Sequence, residues 1–306
     1  MQTMFKIIIC LFGFLVLSGI CHADDRKESD TDIIRQNDQI IKTVHASGGL
    51  IFAVPPYWGR ESTRIGFEQL AKHLGSALAN NVTLIILKDY ETMIKRTLAG
   101  EVDIGFYGPA LYVKIKKAYP ELRCLAASIS KKTGKHVYYS YLITRKGSGL
   151  LSLESLKGKS FAFGSKESTG GYRYPLAWMK ENNLDPEKYF KSVKFLGSHN
   201  NVLDAVAAGR VDAGSVSPGP LQKKTTEYGN VFNRLRKFGP IPSSVVAIGI
   251  KMPDATIKRI TTALLSLPVS VTDVEEFDYS GFMVISDEAY DQIRSVLNVT
   301  GSDGNK

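Results

Sequence analysis

The segment Ala99-Gly100-Glu101-Val102-Asp103-Ile104-Gly105 recurs as Ala208-Gly209-Arg210-Val211-Asp212-Ala213-Gly214. A match this short means little by itself, but its setting constrains the fold. Ahead of the first copy, residues 49–54 (GLIFAV) form an apolar run of strand length. Residues 63–78 carry Ile65, Leu70, Leu74 and Leu78 at helical spacing, with Phe67 and Ala71 between them. Residues 82–87 give a second strand, 90–99 a second helix that Gly100 stops, and 102–106 a third strand. Ahead of and through the second copy the series repeats, as strand 161–164, helix 171–182, strand 193–196, helix 201–208 and strand 211–214. Two β-α-β-α-β runs sharing one motif at one place predict two lobes built alike. Each is expected to be a mostly parallel sheet flanked by helices, in an α/β protein.

The runs are joined by a β-branched and aromatic strand, residues 137–144 (VYYSYLIT), and followed by another, residues 243–250 (SSVVAIGI). A chain that leaves the first lobe once and returns once has two crossovers, which make a hinge beside a cleft. The expected division is residues 47–138 plus 244–300 for the first lobe, 139–243 for the second and 301–306 for a tail. Helices are expected over residues 255–267 and 287–297 of the first lobe. Residues 24–46 are polar and charged and read as a flexible lead-in or a helical arm.

Residues 1–23 have the form of a secretory leader, with Lys6, a short apolar core over residues 7–17, and Ala23 ahead of the acidic pair Asp24-Asp25. The core is shorter than the roughly 20 residues of a membrane span. Cleavage after Ala23 fits better than lipidation of Cys21, because the residue before a lipidated cysteine is normally small and Ile20 is not. The mature protein is therefore expected in the periplasm. Its Lys6 goes with the leader, lowering the formal charge by one from +9. Cys10 and Cys21 go too, leaving Cys124 without an intramolecular disulfide partner. No later stretch reaches the roughly 18 apolar residues of a membrane helix. The basic excess first suggests nucleic acid, but the lysines and arginines are scattered, and export argues against that partner.

Catalytic signatures are missing from the letters. The histidines at 22, 45, 73, 136 and 199 never fall at metal-ligand spacing, so no metal is expected. Residues 164–171 (GSKESTGG) lack the Lys-Ser/Thr that ends a nucleotide P-loop, and no Gly-x-Ser-x-Gly elbow occurs. Neither an enzyme nor a cofactor is indicated.

The same GSKESTGG segment lies between a strand and a helix, placing Ser168, Thr169, Gly170 and Gly171 at a helix start. First-turn amides have no intrahelical acceptor, and the helix dipole favours an anion there. Hydroxyls add donors, and glycines admit an oxyanion close to the backbone. Ser or Thr also caps many helices that bind nothing. Position sharpens the reading, because ligands of open parallel sheets bind beyond the carboxyl ends of strands. Four segments should meet there: Pro55-Pro56-Tyr57, Tyr107-Gly108-Pro109, residues 165–171 and Ser198-His199-Asn200. Tyr57 and Tyr107 read equally as core or rim aromatics, and His199 equally as a helix-capping or merely polar loop residue.

Three segments together carry a family resemblance: Asp103-Ile104-Gly105-Phe106-Tyr107-Gly108-Pro109, Ser168-Thr169-Gly170-Gly171-Tyr172, and Gly197-Ser198-His199-Asn200 leading into the second repeat motif. Over about residues 49–250 the chain resembles the phosphate-, phosphite- and phosphonate-binding periplasmic components of ABC importers. That resemblance implies a two-lobed periplasmic-binding-protein fold. It implies a small oxyanion caged by Ser168, Thr169, Gly170, Tyr107 and His199, with Tyr57 alongside, and a membrane permease as partner. A monomer is the default for this architecture. The family's aminoalkylphosphonate binders place carboxylates where this chain has Ser217-Pro218-Gly219 and Ile241-Pro242-Ser243-Ser244. The expected ligand therefore has no cationic arm: phosphate, phosphite or a simple alkylphosphonate. Relatives also serve as sensors for two-component histidine kinases, and an arsenite sensor can use a cysteine. Cys124, within Leu122-Arg123-Cys124-Leu125, reads as a buried structural thiol instead.

Overall fold

The computed structural model describes residues 29–249 and 252–301; the expected leader lies outside them. The chain enters through helix α1 (Asp30–Ala46), capped by the Ser29 side chain on the Asp32 amide. Its face Ile33, Asn37, Ile41 and Val44 is buried. Residues 30–46 are therefore a docked helix and not a flexible lead-in: one buried residue per turn, apolar except for Asn37, suffices to pack it, though the helix is polar elsewhere.

Strand β1 (Leu50–Val54), helix α2 (Arg60–Leu78), strand β2 (Val82–Ile86), helix α3 (Tyr90–Leu98), strand β3 (Ile104–Tyr107) and helix α4 (Pro109–Ala118) follow. Strand β4 (Arg123–Ser130) leads out of the first lobe and β5 (Val137–Arg145) into the second. The second lobe continues with β6 (Ser160–Phe163), helices α5 (Tyr174–Glu181) and α6 (Pro186–Tyr189), β7 (Ser192–Phe195), α7 (His199–Ala207), β8 (Ala213–Val216), α8 (Pro218–Tyr228) and β9 (Phe232–Pro242). The chain returns through β10 (Val245–Ile248), α9 (Asp254–Leu265), α10 (Val269–Thr272), β11 (Tyr279–Val284) and α11 (Asp291–Thr300).

The repeated motif does the same work in both lobes. Gly100 and Gly209 take φ of 73° and 68° just past α3 and α7, a left-handed conformation that glycine adopts without strain. Three residues on, the Asp103 carboxylate accepts from the Ile51 amide at 2.7 Å, and Asp212 accepts from the Ser160 amide at 2.8 Å. Each aspartate thus pins the start of the first parallel strand of its lobe.

Among the described residues, one sheet runs β11-β4-β10-β3-β1-β2 and the other β7-β6-β8-β5-β9. Strands β1, β2 and β3 are parallel, as are β6, β7 and β8. The remaining pairings are antiparallel, so the sheets are mixed and less parallel than expected. The crossovers explain this. Strands β5 and β10 enter their lobes from the cleft side, where the parallel strands end, and so run the opposite way. The two crossovers lie side by side: the Ser243 amide donates to the His136 carbonyl at 2.9 Å, and Val137 pairs with Pro242.

Both faces of each sheet are covered. Strand β1 is buried from Ile51 to Val54, within a core that includes Phe67, Leu70, Leu74 and Ile104. The second lobe splits its core around its sheet, with Phe161 and Phe163 on one side and Val202, Val206 and Leu221 on the other. Helix α11 closes the chain, and beyond it the Gly301 carbonyl accepts from Arg173 Nη1 of the second lobe at 3.0 Å.

Candidate ligand-binding cleft

Six loops at the carboxyl ends of the parallel strands meet between the lobes, as strand geometry requires. They contribute Tyr57 after β1, Tyr90 after β2, Gly108 after β3, Ser168 and Thr169 after β6, His199 after β7 and Ser217 after β8. With Tyr138 of β5 and Tyr279 of β11 they line a cavity of about 650 Å³.

The second-lobe wall is a helix start. Ser168 is extended (φ −76°, ψ 125°), and its hydroxyl accepts from the Gly171 amide at 3.0 Å. A wide turn over Thr169–Arg173 brings the Arg173 amide to the Ser168 carbonyl at 3.0 Å and runs into α5. The Thr169 and Gly170 amides have no carbonyl a turn behind them to bond. Gly170 and Gly171 have a packing cause besides the expected one. A Cβ on Gly170 would fall 2.9 Å from Ser140 Cβ and 3.1 Å from Ser217 Oγ, and one on Gly171 2.9 Å from His199 Cε1. Neither glycine lines the cavity; both let the helix start sit tight against the residues that do.

The first lobe faces it with phenols. Tyr57 and Tyr90 line the cavity together with Ser168. Thr169 Oγ1 accepts from the Ala110 amide across the cleft at 2.8 Å. The Tyr57 hydroxyl donates to the Phe106 carbonyl at 3.1 Å and accepts from the Gly108 amide at 2.5 Å. Burial raises the pKa of Tyr57, Tyr90, Tyr138 and Tyr279, so all four remain protonated at neutral pH, the Tyr57 proton being directed to the Phe106 carbonyl.

His199 caps nothing with its ring. Its Nδ1 accepts from the Ser217 amide at 3.3 Å, Nε2 lies 3.2 Å from Ser217 Oγ, and its own amide donates to the Tyr57 carbonyl. Burial pushes its pKa down to about 4, so it is neutral in the closed cleft at neutral pH. Further contacts hold the lobes together. Lys114 pairs with Glu167 at 2.6 Å, Lys223 with Glu276 at 2.7 Å, and the Asn200 side-chain amide donates to the Trp58 carbonyl.

Tyr107 departs from expectation. It is fully buried in the first lobe, with its hydroxyl 3.1 Å from Thr97 Oγ1 and its ring folded over Gly105. Strand alternation puts Gly105 and Tyr107 on the face toward α3, so the residue of this turn that reaches the cavity is Gly108. Tyr90, Tyr138, Tyr279 and Ser217 take places the sequence reading did not assign. Tyr90 follows β2 directly, so the strand-end rule that singled out Tyr57 covers it as well.

Lysines 131, 132, 135, 223 and 237 and Arg234 also line the cavity, with Glu167, Glu275 and Asp278 as the acidic residues. Cys124 lies elsewhere, on β4, with Sγ 3.6 Å from the Ile285 carbonyl. Burial pushes its pKa up to about 12, so the reactive thiolate is not formed at neutral pH. Among the described residues no cluster of His, Cys, Asp and Glu is arranged to hold a metal ion, and no helix is long and apolar enough to cross a membrane.

Comparison with known proteins fits this geometry. The phosphate-import protein PhnD of Mycolicibacterium smegmatis is 24% identical over 94% of both chains. The tetrathionate sensor histidine kinase TtrS of Salmonella typhimurium is 25% identical over 70% of this chain and 39% of its own length. PhnD1 of Prochlorococcus marinus, solved in complex with methylphosphonate, shares the fold with a TM-score of 0.73 at 18% identity, covering 81% of this chain and 97% of that one. The family model described as the phosphonate periplasmic substrate-binding protein of ABC transporters matches residues 52–290, and the chain belongs to that family.

Proposed function

We propose that this protein captures a phosphorus oxyanion in the interlobe cleft and delivers it to a membrane ABC permease. The observation that carries the reading is the helix start at Ser168 and Thr169, bonded across the cleft to the Ala110 amide and lining one cavity with Tyr57 and Tyr90 of the opposite lobe. The free first-turn amides and the positive end of the helix dipole stabilise the anion, and the hydroxyls add donors. Ser168, Thr169, Tyr57 and His199 are the expected residues assigned to this cage, joined by Tyr90, Tyr138 and Ser217. Neutral donors do the binding, while the surrounding lysines draw the anion in. Because donors come from both lobes, a bound anion favours the closed arrangement that a permease can recognise. The M. smegmatis relative is named for phosphate import and the P. marinus structure holds methylphosphonate, which supports phosphate, phosphite or a phosphonate as the ligand class. Export through the leader at residues 1–23 and action as a monomer complete the proposal. The double substitution Ser168→Ala and Thr169→Ala is expected to weaken oxyanion binding more than tenfold in calorimetry while the protein stays folded.

The match to a sensor kinase favours a second reading, in which the same cleft reports an oxyanion to a histidine kinase. Deleting the gene separates the two. An importer's loss abolishes uptake of the labelled ligand, whereas a sensor's loss leaves uptake intact and abolishes the transcriptional response.

A further inference from the structure

We infer that Asp278 is a second pole of the cleft, selecting ligands that carry a hydrogen-bond donor, ammonium or hydroxyl, on an arm beyond the phosphorus oxyanion. The inference rests on the proposed oxyanion function and adds a specificity-determining residue to it.

Asp278 precedes β11, and its carbonyl accepts from the Lys131 amide at 2.9 Å, which fixes it on the cavity wall. Its carboxylate has no hydrogen bond or ion pair among the described residues. The cations that act on it are engaged elsewhere. Lys131 Nζ donates to the Val274 carbonyl at 3.1 Å, and Lys223 pairs with Glu276 at 2.7 Å. From the opposite lobe, the start of α8 offers little. Pro218 and Pro220 have no N–H, the Leu221 amide is directed to the Ser217 carbonyl, and the Gly219 amide makes no hydrogen bond to the carboxylate. Gly219 instead makes room, since a Cβ there would fall 1.7 Å from Asp278 Oδ2. A largely enclosed carboxylate without a donor is costly, and burial accordingly pushes its pKa up to about 6.

Gly219 is two residues past Ser217, whose hydroxyl meets His199 at 3.2 Å and lies beside Gly170 of the helix start. The acceptor and the anion seat therefore share one chamber, a short arm apart. The cavity of about 650 Å³ is of the size that holds an organic ligand, far more than a bare tetrahedral ion fills. The carboxylate that the sequence lacks at Ser217-Pro218-Gly219 is thus brought against that turn from another part of the chain. A donor-bearing arm on the oxyanion is thus accommodated in addition to the armless ligands expected. A site with such an acceptor rejects analogues that leave it unpaired.

The test is calorimetry on the purified chain with four probes: methylphosphonate, propylphosphonate, 2-hydroxyethylphosphonate and 2-aminoethylphosphonate. The wild type is expected to bind at least one donor-bearing probe tenfold or more tighter than propylphosphonate. The hydroxyl and ammonium probes distinguish the two donor chemistries. Asp278→Ala should erase the preference, and Asp278→Asn, which keeps the shape and guards against misfolding, should erase it for the ammonium. Equal binding of propylphosphonate and both donor-bearing probes, or a preference that survives Asp278→Ala, overturns the inference. If methylphosphonate binds while no preference exists, only this inference fails. If no phosphonate probe binds, this inference fails, and titration with phosphate and phosphite then decides whether the oxyanion reading falls with it.

Discussion

Thr169→Val removes a single oxygen at the point where ligand capture and lobe closure meet. Valine keeps the branched shape of threonine, so packing is preserved and only the hydroxyl is lost. That hydroxyl accepts from the Ala110 amide at 2.8 Å across the cleft. Ala110 and Thr169 are both buried, so the valine variant leaves the Ala110 amide without its acceptor whenever the lobes close. An unmade buried donor costs about 1–3 kcal/mol, and a lost hydrogen bond to a charged ligand about 1.5–3 kcal/mol. The two effects share one atom and do not simply add. At about 1.4 kcal/mol per tenfold, affinity is expected to fall roughly 10- to 100-fold. Neither lobe loses core volume, so the melting temperature of the ligand-free protein should change little. Calorimetry gives the affinity, small-angle scattering gives the population of the closed form, and Thr169→Ser should restore both. A valine variant that binds within twofold of wild type and closes as readily would refute the reasoning.

Three further outcomes follow from the geometry. His199 titrates near 6.5 when unfolded and near 4 when folded, so the unfolded chain binds more protons between those values. Its contribution is complete above pH 6.5 and is lost as pH falls through 4, at most about 3 kcal/mol in urea melts. Oxyanion affinity should show no His199 inflection between pH 6 and 8, contrary to what a free imidazole implies, and His199→Asn should flatten the acid limb of stability. Tyr107→Phe removes a core hydroxyl paired with Thr97 and should cost about 1 kcal/mol of stability with no change in affinity, as calorimetry and melts together report. Gly170→Ala drives a methyl against Ser140 and Ser217 and should cost about 1–3 kcal/mol and weaken binding, read in the same pair of experiments.

Much of this was legible in the letters because local patterns set it. The apolar runs and helical spacings placed most strands and helices within a few residues, and the repeated Asp103 and Asp212 marked equivalent positions in the two lobes. Ser168 sits at a helix start because strand, turn and cap follow in sequence. What failed depends on contacts between distant segments. Tyr107 and Gly108 are adjacent, and only the direction of β3 decides which of them reaches the cleft. The sequence left a flexible lead-in and a helical arm both open for α1 because its buried face is one residue per turn. Asp278 meets Gly219 from the far end of the chain, a proximity that no local pattern encodes.

The central claim is that the cleft binds a phosphorus oxyanion, and titration of the purified wild-type protein with phosphate, phosphite and phosphonates measures it directly. One-to-one binding of at least one of them in the micromolar range or tighter, abolished or strongly weakened by the Ser168 and Thr169 double substitution, is the predicted result. Absence of binding by every one of them below about millimolar concentration would contradict the account.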